Sequence, residues 1–130
     1  MAKLKDLLGK TMASVENKGD ELVFTTNEGK CYKLYHDWQC CEKVAIESVV
    51  GDLNDLVGEP LLMSEESTGK TPAYYEFENE PESYTWTFYK FATRKGYVDV
   101  RWLGTSNGHY SEKVDFDEVD PMNTAITLPQ

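Results

Sequence analysis

In residues 11–35 large and polar residues alternate with a period of two, and turn clusters cut the alternation twice: TMASVE, NKGD, ELVFTT, NEG and KCYKLYH follow one another. That period is the repeat of a pleated strand, not of a helix face, so it predicts a three-stranded antiparallel meander. The signal returns from Tyr84, where YTWTFYKFA leads through TRKG to YVDVRWLG, and Asn107-Gly108, a strong hairpin signal, leads to HYSEKVDF. A second three-stranded meander is expected there. In its first strand Trp86 and Phe88 fall on one face and Tyr89 and Phe91 on the other, so that strand is either covered on both faces or bulged near Phe88.

Between the meanders lies the stretch around which the chain is organised, residues 31–58, CYKLYHDWQCCEKVAIESVVGDLNDLVG. After His36 a turn through DWQCC enters a fourth strand at 42–50. Asp52 then stands at an N-cap position, with Asp55 in the first turn as an approximate capping box and Gly58 and Pro60 as stops, which predicts a short helix at 52–57. Leu61, Leu62 and Met63 read as a short fifth strand. At the N-terminus Leu4, Leu7 and Leu8 mark a short helix over residues 2–8, closed by Gly9. The expected architecture is mainly β: one domain over 1–130, built as an antiparallel β-sandwich or partly open barrel from two meanders with one or two short helices. Its core spans about residues 2–116, 64–83 is a loop, and 117–130 is a loosely attached tail.

Composition narrows the setting. Forty per cent hydrophobic and twelve per cent aromatic residues describe a globular chain. No stretch approaches the roughly 20 apolar residues that span a bilayer, and MAKLKDLLGK lacks a signal-peptide core, so a soluble, cytoplasmic protein without membrane contact is expected. The three cysteines leave at least one thiol unpaired, and in a reducing compartment all three are expected to be reduced.

The net charge is −10, and nearly all of it lies in one block: residues 47–82 carry ten acids against Lys70 alone. Such a chain is not built to bind nucleic acid directly, which calls for clustered Lys and Arg. Its natural partner is a basic surface. Within the block, SEESTGKTPAYYEFENEPES sets Glu65, Glu66, Glu76, Glu78, Glu80 and Glu82 among Tyr74, Tyr75 and Phe77. Aromatics in a loop are costly to leave in water and are enriched at interface hot spots, so these nine residues form the candidate partner-binding site, with folding back over the core as the other use of the rings.

The candidate chemistry is thinner. His36, Cys40 and Cys41 are the residue types of a zinc site, with Cys31 nearby, but adjacent cysteines do not supply paired C-x₂-C ligand spacing. A Cys41 nucleophile served by His36 would need a depressed thiol pKa and an oxyanion donor, and no catalytic cysteine signature is present. Asp52 and Asp55 are accounted for by capping, and His109 reads as a solvated turn residue. No P-loop, G-x-G-x-x-G or G-x-S-x-G occurs. No catalytic residue, metal or cofactor is assigned, and a small metal- or cysteine-dependent enzyme centred on His36, Cys40 and Cys41 stands as the alternative.

The segments DELVFTTNEGKCYKLYHDWQCCEKVAIESVVGDLNDLVGEP and SYTWTFYKFATRKGYVDVRW with SNGHYSEKVDF resemble a family of small proteins encoded by bacteriophages and prophages and known as a domain of unknown function. YHDWQCCE followed by GDLNDLVG is the most specific part. The resemblance brings no catalytic residues. It implies a viral or mobile-element origin, and with the acidic block it leads to the expectation of a phage protein that binds and modulates or inhibits a host protein with a basic surface, such as a nucleic-acid-binding defence or transcription factor.

Overall fold

A computed structural model describes residues 2–120 of the chain. Two four-stranded antiparallel sheets face one another without closing into a barrel. The first contains β1 (Met12–Asn17), β2 (Glu21–Thr26), β3 (Cys31–Tyr35) and β8 (Asp115–Val119) in the order β1-β2-β3-β8. The second contains β4 (Lys43–Val50), β5 (Met63–Gly69), β6 (Ser83–Thr93) and β7 (Gly96–Ser106) in the order β4-β7-β6-β5. The expected sandwich is therefore the fold.

The core lies between the sheets, where the alternating inward residues meet. Phe24 from the first sheet meets Phe91 from the second edge-on, with ring centroids 5.1 Å apart, and Tyr89 stacks beside Phe91 at 6.2 Å. Leu22 and Leu34 on one side and Val98, Val100 and Trp102 on the other complete this layer, all fully buried. Leu7, Leu56 and Leu61 close one end from the connecting segments.

The two expected helices are single 3₁₀ turns, Leu4–Leu7 and Leu53–Leu56. Asp52 caps the second as expected, its Oδ1 accepting the Asn54 N–H at 2.9 Å. The turn is held by packing: Leu56 enters the core, and the Asp55 carbonyl accepts the Thr93 hydroxyl. Gly51, just before it, has φ +107°, and a Cβ there would sit 2.5 Å from the Tyr97 carbonyl oxygen, so β4 leaves its sheet at a position only glycine fits.

Three details differ from expectation. The stretch 64–83 is not structureless throughout, because β5 occupies Met63–Gly69 and pairs with β6; alternation there is masked by Glu65, Glu66 and Ser67 on an exposed strand. The second meander is accordingly β5, β6 and β7, and the last strand leaves it to pair with β3 in the other sheet, Leu34 opposite Phe116. A hairpin signal at Asn107-Gly108 fixes a turn but not the strand that follows. What redirects the chain is Glu112, whose carboxylate accepts the Thr85 and Ser106 hydroxyls at 2.7 and 2.5 Å, and whose backbone lies so close to β7 that a Cβ on Gly104 would be 2.7 Å from its carbonyl oxygen. Val114 then enters the core, Phe116 stacks on Tyr32 at 5.7 Å, and β8 ends at Val119, inside what was expected to be tail. The remainder of that expected tail, 121–130, lies outside the described residues.

Of the two readings of YTWTFYKF, coverage on both faces is the right one: β6 pairs with β7 in unbroken register from Ser83 to Thr93. The bulge falls in β4, between Ile46 and Ser48. Replacing Phe91 by Ala removes a fully buried ring from the interface of both sheets and is expected to cost about 3–5 kcal/mol, read as a lower urea midpoint with an unchanged slope.

Candidate functional site

The connection from β3 to β4, residues 36–42, folds around one carboxylate. Glu42 is 4% exposed. Its Oε1 accepts the N–H groups of Cys40 and Cys41 at 3.0 and 3.1 Å, and its Oε2 accepts the Gln39 N–H at 2.8 Å and His36 Nε2–H at 2.6 Å. The other ring nitrogen of His36, Nδ1, donates to the Lys113 carbonyl at 2.6 Å, in the connection from β7 to β8. One histidine therefore ties together the two segments that cross between the sheets. Asp115 and Asp117 add to the seam, accepting from the Asp37 N–H at 3.3 Å and the Tyr35 hydroxyl at 2.6 Å.

Because the polar groups of this corner point inward at Glu42, its remaining side chains point out. Trp38 is 66% exposed, and its indole N–H donates to the Glu42 carbonyl at 3.1 Å, which fixes the ring on the surface. Cys40 and Cys41 are exposed and joined to each other, so the expectation of three reduced thiols is corrected: Cys31 alone is free, buried in β3. Three successive N–H groups turned toward one carboxylate bring the two adjacent cysteine side chains into reach of each other.

Burial opposes ionisation of both partners in the His36–Glu42 pair. For Glu42 that penalty is outweighed by the His36 hydrogen bond and the backbone N–H groups, which bring its carboxyl down to about 2. For His36 burial lowers the value, but the bonds to Glu42 and the Lys113 carbonyl, with the nearby Glu42 and Asp115 charges, leave it raised above the usual 6.5. A depressed carboxylate stabilises the fold fully above its unfolded value near 4.5 and ceases to do so as pH falls through about 2. A raised imidazole stabilises fully below 6.5 and loses that contribution as pH rises through its folded value. Both contributions are complete between about pH 4.5 and 6.5. The stability lost in His36→Gln, measured by urea unfolding across pH, should be greatest in that window and shrink above it; a loss that does not vary with pH would show that His36 is not the cation of the pair.

The acidic-aromatic segment is organised by alternation. After β5 the chain crosses the outer face of the second sheet, where Trp86 on β6 donates its indole N–H to Thr71 Oγ1 at 3.0 Å. Tyr75 and Phe77 pack down, Tyr75 edge-on to Trp86 at 5.0 Å and Phe77 against Tyr84 at 4.8 Å, leaving Trp86 1% exposed. Tyr75, Phe77, Asn79 and Pro81 line a concavity of about 310 Å³ against Lys43, Ala45, Leu103 and Thr105. Glu76, Glu78, Glu80 and Glu82, the residues between, are all exposed and form a ridge of carboxylates. Among the described residues none of the four takes part in an ion pair.

The nine candidate residues thus divide. Tyr75 and Phe77 are spent on the protein's own sheet. Tyr74 is 54% exposed but tethered, its hydroxyl bonded to Glu47 and Ser48 and its ring 5.1 Å from the Arg101 guanidinium. Glu65 and Glu66 lie on β5, Glu66 accepting the Tyr89 hydroxyl at 2.6 Å. The ridge meets the Trp38 corner at one end of the second sheet: Lys43, next to Glu42, pairs with Thr105, which pairs with Tyr84 just beyond Glu82. Trp38 was missed in the sequence because only an aromatic in a polar turn, outside any alternation, marks it, and Glu42 because nothing distinguishes it from the acids around it.

The zinc and nucleophile readings do not find their geometry here. Both nitrogens of His36 are engaged, Cys40 and Cys41 are linked, and among the described residues no three His, Cys, Asp or Glu side chains are grouped to hold a metal ion. His109 lies exposed in the turn after β7, its N–H bonded to Asn107. No helix among the described residues is long and apolar enough to cross a membrane.

Nothing among curated proteins or solved structures matches the chain. The family model of a domain of unknown function, DUF7448, matches residues 5–116, which take in both crossing connections, the Trp38 corner and the carboxylate ridge; the chain belongs to that family.

Proposed function

We propose that this is a phage-encoded interaction protein of the host cytoplasm, whose carboxylate ridge engages a basic surface on a host protein, such as one that normally contacts nucleic acid, and so modulates or blocks it. The observation that carries the reading is the alternation over 75–82, which spends Tyr75 and Phe77 as internal anchors and turns Glu76, Glu78, Glu80 and Glu82 together into solvent. Carboxylates engaged in no ion pair, held on a packed support, create a local field that steers encounter with a cationic partner and suppresses wrong ones. Charge at a rim supplies little affinity without an apolar anchor. Trp38, fixed by its indole hydrogen bond and standing at the same end of the sheet, provides one in place of the buried loop rings.

The test begins with capture of a binding protein from host lysate and continues with that protein, purified, across a salt series. Replacing Glu76, Glu78, Glu80 and Glu82 by Gln should weaken binding at low salt by roughly tenfold or more, mostly through slower association, and flatten the salt dependence. Trp38→Ala should instead speed dissociation and leave the salt slope in place. A Gln variant with unaltered affinity and salt slope rules out the ridge as the contact.

A further inference from the structure

Edge strands are templates for further pairing, and proteins blunt them with bulges, Pro, Lys or covering segments. β1 is broken in register between Met12 and Ser14 and bridged at Met12 to Val57. β4 is broken between Ile46 and Ser48, and the Ile46 N–H is taken by the Gly19 carbonyl. β8 is short and reaches nearly to the end of the described residues. β5 is longer than β8 and, unlike β1 and β4, is unbroken: it pairs with β6 from Met63 opposite Ala92 to Gly69 opposite Trp86, contains no Pro or Lys, and is exposed from Glu65 to Gly69. A flanking segment is bonded to it at its start, where Ser64 Oγ donates to the Leu4 carbonyl at 2.8 Å.

The charges beside this edge run in a ladder. On the outer face Asp99 of β7 lies opposite Lys90 of β6, and Lys90 opposite Glu65 of β5, so the signs alternate strand by strand up to the open margin. Lys90 Nζ stays 4.0 Å from Asp99 Oδ1, and that oxygen is buried without a hydrogen-bond partner. These residues, with Ser67, Phe88 and Arg101, line a concavity of about 370 Å³ that opens beside the strand. On the inner face, Glu66 shares a second cleft with Lys113, whose ammonium lies 3.6 Å from Asp115.

We propose that β5 is a docking edge, to which an extended cationic segment of the partner protein adds as the next strand of the sheet, with a Lys or Arg across from Glu65. The backbone of β5 supplies hydrogen bonds that any strand would accept. Selection comes from the ladder, since the next position after Asp99, Lys90 and Glu65 calls for a positive charge. A second copy of this chain is a poor occupant, because antiparallel pairing of β5 with itself brings Glu65 and Glu66 against their own kind. The inference rests on the reading of the protein as a binder of basic surfaces and specifies how the partner is held.

The test uses three fluorescein-labelled peptides long enough to span β5, followed by anisotropy at low salt: one alternating Thr and Lys, the same peptide with alternate backbone amides N-methylated, and one alternating Thr and Glu. Strand addition requires that the Thr-Lys peptide bind and that methylation, which keeps every charge but removes backbone donors, weaken it by about tenfold or more. Glu65→Lys should weaken the same peptide and leave the carboxylate ridge untouched. Equal binding of the methylated and unmethylated peptides overturns strand addition while leaving the acidic-surface reading standing, as does failure of both Lys peptides to bind when the host partner is still captured through the ridge. Equal or tighter binding of the Thr-Glu peptide overturns the charge rule.

Discussion

The corner at which the two sheets are joined depends on the carboxylate of Glu42. Two sheets can face one another only if the chain crosses between them, and here it does so in residues 36–42 and again in 107–114. These crossings are neighbours because β3 pairs with β8 and β4 with β7. Glu42 gathers the first with three backbone N–H groups, and His36, bonded to Glu42 on one side and to the Lys113 carbonyl on the other, fastens the second to it. A buried ion pair seldom exceeds a well-packed apolar pair in net stability, since desolvation offsets much of its attraction. What it contributes here is geometry. A carboxylate with this set of donors can be satisfied by one path of the chain, and that path puts Trp38, Cys40 and Cys41 on the surface.

The second sheet illustrates how packing decides where charge is displayed. Its outer face carries Trp86, Phe88 and Tyr84, too much aromatic surface to leave in water. The segment that leaves β5 covers it with Tyr75 and Phe77, and an extended segment that points alternate residues at a sheet must point the rest away. Glu76, Glu78, Glu80 and Glu82 are therefore directed outward by the same contacts that bury Trp86. The ridge and the lid are one device, and removing the aromatic row would release the charges from their common direction without changing their number.

Much of this was legible in the sequence. Period-two alternation fixed the strand class and the first meander, because Leu22 and Phe24 on β2 and Tyr32 and Leu34 on β3 recur at every second residue in the core. The Asp52 cap was readable, since its signal is local. What failed was whatever depends on partners far along the chain. β5 was hidden because Glu65, Glu66, Ser67 and Thr68 lie on an exposed edge and carry no apolar alternation, while the strand's pairing energy comes from β6. β8 was placed in the wrong sheet because the turn at Asn107-Gly108 says nothing of Glu112, which draws the chain across the end of the sandwich through Thr85 and Ser106. The candidate site was half legible for the same reason: carboxylate density is a property of composition, whereas the burial of Tyr75 and Phe77 and the exposure of Trp38 are properties of what packs beside them.

The acidity of the chain then acquires a structural meaning beyond solubility. An edge strand with unbroken register would ordinarily invite association with its own copies; β1 and β4 are blunted by a bulge each, with a bridge at Met12, and β8 is short. β5 carries carboxylates instead, which oppose like strands and favour unlike ones in the same step. With the ridge over the outer face of the same sheet, the second sheet carries carboxylates both on a surface and at a margin, which on the proposed reading is what a cationic partner would meet. Concentrating ten acids against one Lys in residues 47–82, while the flanking parts of the chain are nearly balanced, leaves the first sheet and the crossings free of that repulsion, so the fold can carry a concentrated negative charge on one layer without straining the other.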